Sequence, residues 1–152
     1  MEIQLLVIII IMIACSAFFS ASETALTGAN RIRLKSMAEN GSKGAKMALK
    51  LLDRYDKVIT TILIGNNIVN ITASSLGTIL ATAIVGPDNA ALVSTVVLTL
   101  VILAFGEVMP KSLAKDHSEG LTVATSGIIT FLTFIFTPLS ALFILLKKLA
   151  NK

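Results

Sequence analysis

Glu107 lies near the end of an apolar run, within Leu103-Ala104-Phe105-Gly106-Glu107-Val108-Met109-Pro110-Lys111. The run is long enough to cross a bilayer, and an ionisable side chain inside such a run is costly unless it has a task. Two other apolar runs carry polar insertions: Ser16, Ser20, Ser22 and Glu23 in one, Asn66, Asn67 and Asn70 in another. Hydroxyl, carboxamide and carboxylate oxygens are hard donors. Gathered inside a membrane, they would make a binding site for a hard cation.

The spacing of these residues supports such a gathering. Ser16 and Ser20 are four apart and share one helix face, as do Asn66 and Asn70; Glu23 continues the serine stripe. Depth agrees. With about 1.5 Å of rise per residue, Ser16 to Ser20 lie roughly 20–26 Å from the outer end of their helix, and Gly106-Glu107 roughly 22–24 Å from theirs. Asn66 to Asn70, on a helix entering from the other side, lie roughly 12–18 Å from the inner face. The three sets overlap in the inner half of the membrane. The donors are all oxygens and there is one histidine and one cysteine, so zinc and copper are poor fits. An octahedron of oxygens suits magnesium, and neutral Ser and Asn donors would hold it loosely enough to let it leave. Gly106 beside Glu107 would let a backbone carbonyl face the site where the helix loosens.

Composition sets the class. Apolar residues are 55% of the 152 and charged residues 14%, with a mean hydropathy of +0.86. Soluble domains are nearer a quarter charged, so this is an integral membrane chain with a single transmembrane domain over 1–152. The first apolar stretch, Ile3 to Phe19, has no basic flank and exceeds a usual signal-peptide core, so it reads as a retained helix. Cys15 is alone, which excludes an internal disulfide. Three transmembrane helices are expected: Ile3 to Ala25, Val58 to Val85, and Ala91 to Met109, the last ended or kinked by Pro110. Gly86-Pro87-Asp88-Asn89 is the turn between the second and third.

Charge fixes the orientation. Arg31 to Lys57 holds eight of the thirteen basic residues against three acids. By the positive-inside rule this connector is cytoplasmic and the N-terminus is outside. The connector reads as two short amphipathic helices lying on the inner surface, divided at Glu39-Asn40-Gly41-Ser42. A fourth apolar stretch, Leu121 to Leu146, is interrupted by Pro138. A complete crossing would strand Lys147, Lys148 and Lys152 outside. A Pro-bent juxtamembrane helix that returns them to the cytoplasm is therefore favoured, with a fourth span as the alternative.

The motifs resemble a known family. Phe18-Phe19-Ser20-Ala21-Ser22-Glu23-Thr24-Ala25-Leu26, then Thr60-Thr61-Ile62-Leu63-Ile64-Gly65-Asn66-Asn67-Ile68-Val69-Asn70-Ile71, then Gly106-Glu107-Val108-Met109-Pro110-Lys111-Ser112-Leu113-Ala114 resemble, in order, three motifs of the CorC/CNNM (cyclin M) magnesium transporters. The resemblance implies an all-α homodimeric membrane domain with three transmembrane helices and a juxtamembrane helix, in the plasma membrane. It implies export of Mg2+ by a secondary transporter, with Na+ as the candidate coupling ion. It also implies metal ligation by Ser16, Ser20, Asn66, Asn70 and the Gly106 main chain, with Glu107 as ligand or charge-balancing neighbour. A C-terminal CBS pair that binds ATP is expected in the full protein and is absent from this sequence. No nucleic-acid partner is expected.

Two other functions compete. A magnesium-sensing or scaffolding membrane subunit would use the same ligands without moving the ion. An intramembrane hydrolase built on Ser20 or Ser22 would need a nearby base, and the only histidine, His117, falls in a polar loop. No enzyme is expected.

Overall fold

The computed structural model describes residues 1–150; Lys152, which entered the charge argument, lies outside them. Every element among the described residues is helical. In chain order they are α1 (Glu2–Gly28), α2 (Arg31–Glu39), α3 (Lys43–Asp53), α4 (Tyr55–Val85), α5 (Pro87–Val101), a π-helical stretch (Ile102–Val108), α6 (Met109–Asp116), α7 (Ser118–Ile135) and α8 (Thr137–Ala150). Four continuous helices are long and apolar enough to cross a membrane: Glu2–Gly28, Tyr55–Val85, Pro87–Asp116 and Ser118–Ile135. The sequence reading counted three, so the fourth matches the alternative by length and composition.

Local sequence explains the breaks. Asn30 caps α2, its side chain accepting from the Ile32 and Arg33 amides, and Ser42 caps α3 by accepting from Ala45. Gly41 between them takes a positive φ of 96°, open to glycine at little cost. Gly86 does the same at φ 83°, and Pro87 opens α5 where its missing amide costs nothing. The division of the connector at 40–42 matches the reading from sequence.

Of the end or kink expected at Pro110, the end is absent. The third apolar helix does not stop there but runs on to Asp116. The proline is accommodated by the π-helical stretch just before it. An α-helical Pro110 would press its ring against the Gly106 carbonyl and could not donate to it. Widening the turn relieves that clash.

The helices pack around two apolar clusters. The first joins Phe19, Leu26, Leu51, Val58, Ile62 and Ile129 at the connector end; the second joins Ile9, Ala73, Leu98 and Ile102 towards the other end. The approach of α1 to α4 depends on Gly65, where an added Cβ would overlap the buried Phe19 ring. Gly65→Ala is expected to lower stability by roughly 1–2 kcal/mol, overpacking outweighing the helix-propensity gain. Thermal unfolding of the purified protein measures this; an unchanged midpoint would refute the tight contact.

Contacts define the course of the last two helices. The side chain of Ser118 approaches Gly28, Val123 meets Gly44, and Ile129 joins the cluster of Val58 and Ile62. Ser140 then hydrogen-bonds Thr61 at 3.0 Å, and Ile144 lines a cavity with Leu52 to Lys57. From Ser140 to Ile144 the chain thus moves back towards the start of α4. The break at Phe136 falls just before Pro138, which takes an early position of α8 where no amide is needed.

Candidate cation site

Ser16 sits on the enclosed face of α1. Its hydroxyl donates to Asn66 Oδ1 at 2.9 Å, and the same Oγ lies 3.5 Å from the Gly106 carbonyl oxygen. One residue from each of three helices meets at this point, as the depth argument expects. The contact lies between the two apolar clusters, a polar layer in an otherwise apolar stack.

The Gly106 oxygen is denied its ordinary α-helical partner for a physical reason. In an α-helix it would accept the amide four residues on, but that residue is Pro110, which has none. Glycine is needed as well, since a Cβ at position 106 would come within 3.0 Å of Ser16 Oγ. Single turns of π-helix recur at functional sites for this kind of backbone exposure.

Ser20 and Asn70 occupy different levels. α1 and α4 run antiparallel, so Ser20 lies one turn beyond Ser16 on the connector side, while Asn70 lies one turn beyond Asn66 on the opposite side, each about 6 Å away along the axis. Side chains lean towards the N-terminus of their own helix, so both lean back towards the Ser16–Asn66 contact. The predicted residues therefore form a short column rather than one ring. Ser20 Oγ, Ser22 Oγ and Asn70 Oδ1 are buried and have no hydrogen-bond partner among the described residues. Each such group costs about 1–3 kcal/mol if left unpaired, so the column holds oxygens awaiting a donor or a cation.

The remaining candidates separate clearly. Asn67 is exposed and turned away from the column. Glu107 is half-buried, with no ion pair among the described residues. Glu23 pairs with Lys111 at 3.3 Å, tying α1 to α6. The pair borders an open cavity of about 520 Å³ that also touches Thr27, Lys115 and Ser118. At the far end of the column Asn70 borders a cavity of about 290 Å³ between α4 and α5, whose walls carry Ser74, Thr78, Ser94, Thr95 and Thr99. Thr72 and Thr82 bond their own helix backbone, as packing residues do.

Two features escaped the sequence reading. Lys111 as the partner of Glu23 depends on a helix crossing that no spacing encodes. The hydroxyl cavity draws on two helices, although Asn70, Ser74 and Thr78 at steps of four give half of its polar lining.

Comparison with known proteins adds kinship. The family model described as the cyclin M transmembrane N-terminal domain matches residues 7–152. A UPF0053 protein of Haemophilus influenzae is 44% identical over 135 residues, 89% of this chain and 32% of the relative. The UPF0053 inner membrane protein YfjD of Escherichia coli is 44% identical over 124 residues, 82% of this chain and 29% of the relative. A polyamine export protein of Haemophilus influenzae is 26% identical over 143 residues, 86% of this chain and 33% of that protein. The chain thus spans about a third of the length of these curated relatives.

Proposed function

Because the chain belongs to the cyclin M transmembrane-domain family, and is thereby a multi-pass membrane domain, we propose that it carries Mg2+ across the membrane as a secondary transporter working as an exporter. The observation that carries this reading is a path of successive polar groups along the bundle. It runs from the Glu23–Lys111 cavity past Ser20, through Ser16, Asn66 and the Gly106 carbonyl, to Asn70 and the hydroxyl-lined cavity beyond. A sensor or scaffold that binds Mg2+ without moving it needs the middle of this path but neither cavity.

The donor chemistry fits a transient passenger. Mg2+ prefers about six oxygens and sheds water reluctantly. Neutral hydroxyl and carboxamide donors with a half-buried Glu107 nearby would hold it less tightly than a carboxylate cage, so that it can leave again. Ser16 has one proton. Turning it from Asn66 to Gly106 exposes the Asn66 oxygen to the ion. Among the described residues no three carboxylate, His or Cys side chains cluster, so charge compensation would fall to Glu107 and to a counter-transported cation, with Na+ the candidate.

Topology enters the same proposal. The basic connector faces the cytoplasm, three helices cross, and α7 with α8 forms a re-entrant pair in the inner leaflet. The return of α8 towards Leu52–Lys57 supports this, since it delivers Lys147 and Lys148 to the basic side. Two protomers would form the working dimer, in the plasma membrane.

An organic polycation is the second reading. One relative is a polyamine export protein, and ammonium groups donate to the same neutral oxygens. Flux from proteoliposomes holding the full-length protein separates the readings. Mg2+ release that exceeds protein-free vesicles and responds to a Na+ gradient is expected, with spermidine release at background. Spermidine release alone would establish the second reading, and binding of Mg2+ without flux would establish the sensor.

A further inference from the structure

A further cavity, about 740 Å³, opens between α3, the first turn of α4 and the end of α7, away from the polar column. Its rim carries Lys50, Arg54 and Lys57, and its walls include Met47, Leu51 and Phe134. None of the three cations has an ion-pair partner among the described residues. The one acid at the rim, Asp53, is already paired with Arg31. The rim is therefore a focus of uncompensated positive charge. The first turn of α4 adds its leading amides, which lack helical partners, and carries Asp56 as well.

The walls are of a different kind. Thr130, Thr133 and Thr137 also line the cavity, and each hydroxyl donates to the backbone carbonyl four residues before it at 2.7 Å. They require no water. The apolar wall continues onto lipid-type surface: Phe134 is 80% exposed and Phe131 62%. Cations above, a water-independent wall below and aromatic rings leading outwards match the boundary between headgroups and acyl chains.

We propose that this cavity is a binding site for an anionic phospholipid. Its phosphate would be held by Lys50, Arg54 and Lys57, and its acyl chains would lie along Phe131 and Phe134. The proposal goes beyond the transport reading and does not depend on it. An acidic segment of a longer chain would satisfy the cations but leave the phenyl rings uncovered, so a lipid is the better match.

The test uses full-length protein in detergent, with native mass spectrometry to count retained lipid. Phosphatidylglycerol is expected to be retained at least tenfold more than phosphatidylcholine with the same chains. At about fivefold per basic residue, the variant Lys50→Gln/Arg54→Gln/Lys57→Gln should abolish the preference. The single exposed change Arg54→Gln, which keeps the fold, should lower it several-fold. Lys35→Gln/Lys43→Gln/Lys46→Gln, with equal charge loss elsewhere on the connector, should leave it intact. Equal retention by wild type and the pocket variants would overturn the proposal. So would equal loss in the control triple, which indicates a diffuse basic surface. Full competition by inorganic phosphate, or by the protein's own downstream segment in place of lipid, would overturn it too.

Discussion

Replacing Asn66 by Ala is expected to lower Mg2+ affinity about a hundredfold while the protein still folds. The carboxamide takes part in the buried polar contact that joins α1 to α4 within the membrane-spanning part, and its Oδ1 is the acceptor for Ser16. Removing it deletes one oxygen from the column and leaves a fully buried hydroxyl without its partner. Groups that only orient a metal ligand commonly account for 10–100-fold in affinity, and a direct donor stands at the upper end of that range. Asn70→Ala and Ser20→Ala remove flanking donors and should each weaken binding by about tenfold. Asn67→Ala is the internal control. It alters the same residue type one position away, on an exposed side of the helix, and should bind as wild type. Calorimetry in detergent reads all four. Equal losses at positions 66 and 67, or wild-type affinity at 66, would remove the column as the binding site.

Pro110→Ala should separate stability from function. The substitution restores an amide that can donate to the Gly106 carbonyl and takes away the ring that forces the helix wider. The stretch Ile102–Val108 should then tighten into ordinary α-helix, with a melting temperature equal to or above wild type. The Gly106 oxygen would meanwhile be occupied by its own helix. Mg2+ affinity and flux should fall about tenfold, in the range seen when a ligand's setting is altered. A variant that is more stable and less active identifies the proline as a device for freeing one carbonyl. A variant with unchanged affinity would show that the carbonyl takes no part.

Both arguments were partly legible in the residues. Steps of four placed Ser16 with Ser20 and Asn66 with Asn70, and the depth estimate brought Ser16, Asn66 and Gly106 to one level. The interval from Gly106 to Pro110 is also four, which is the signature of a carbonyl deprived of its amide. Read as an end or a kink, Pro110 left two courses open, and the helix end is the one the structure does not have. The column escaped because same-face arguments carry no direction, and it takes the antiparallel course of α1 and α4 to send Ser20 and Asn70 to opposite sides. Helix identities, the split at Gly41 and the break near Pro138 followed from capping residues and breakers, which act locally. The course of α7 did not, because a largely apolar helix of eighteen residues suits a span and a re-entrant helix equally well.

The bond between Ser140 and Thr61 gives α8 a mechanical grip on α4. Thr61 is five residues from Asn66, on the same rigid rod, so a tug on the lysine-bearing end of α8 is felt little more than one helical turn from the Asn66 carboxamide. A load on that helix can therefore shift the register of the carboxamide against Ser16 without touching either residue.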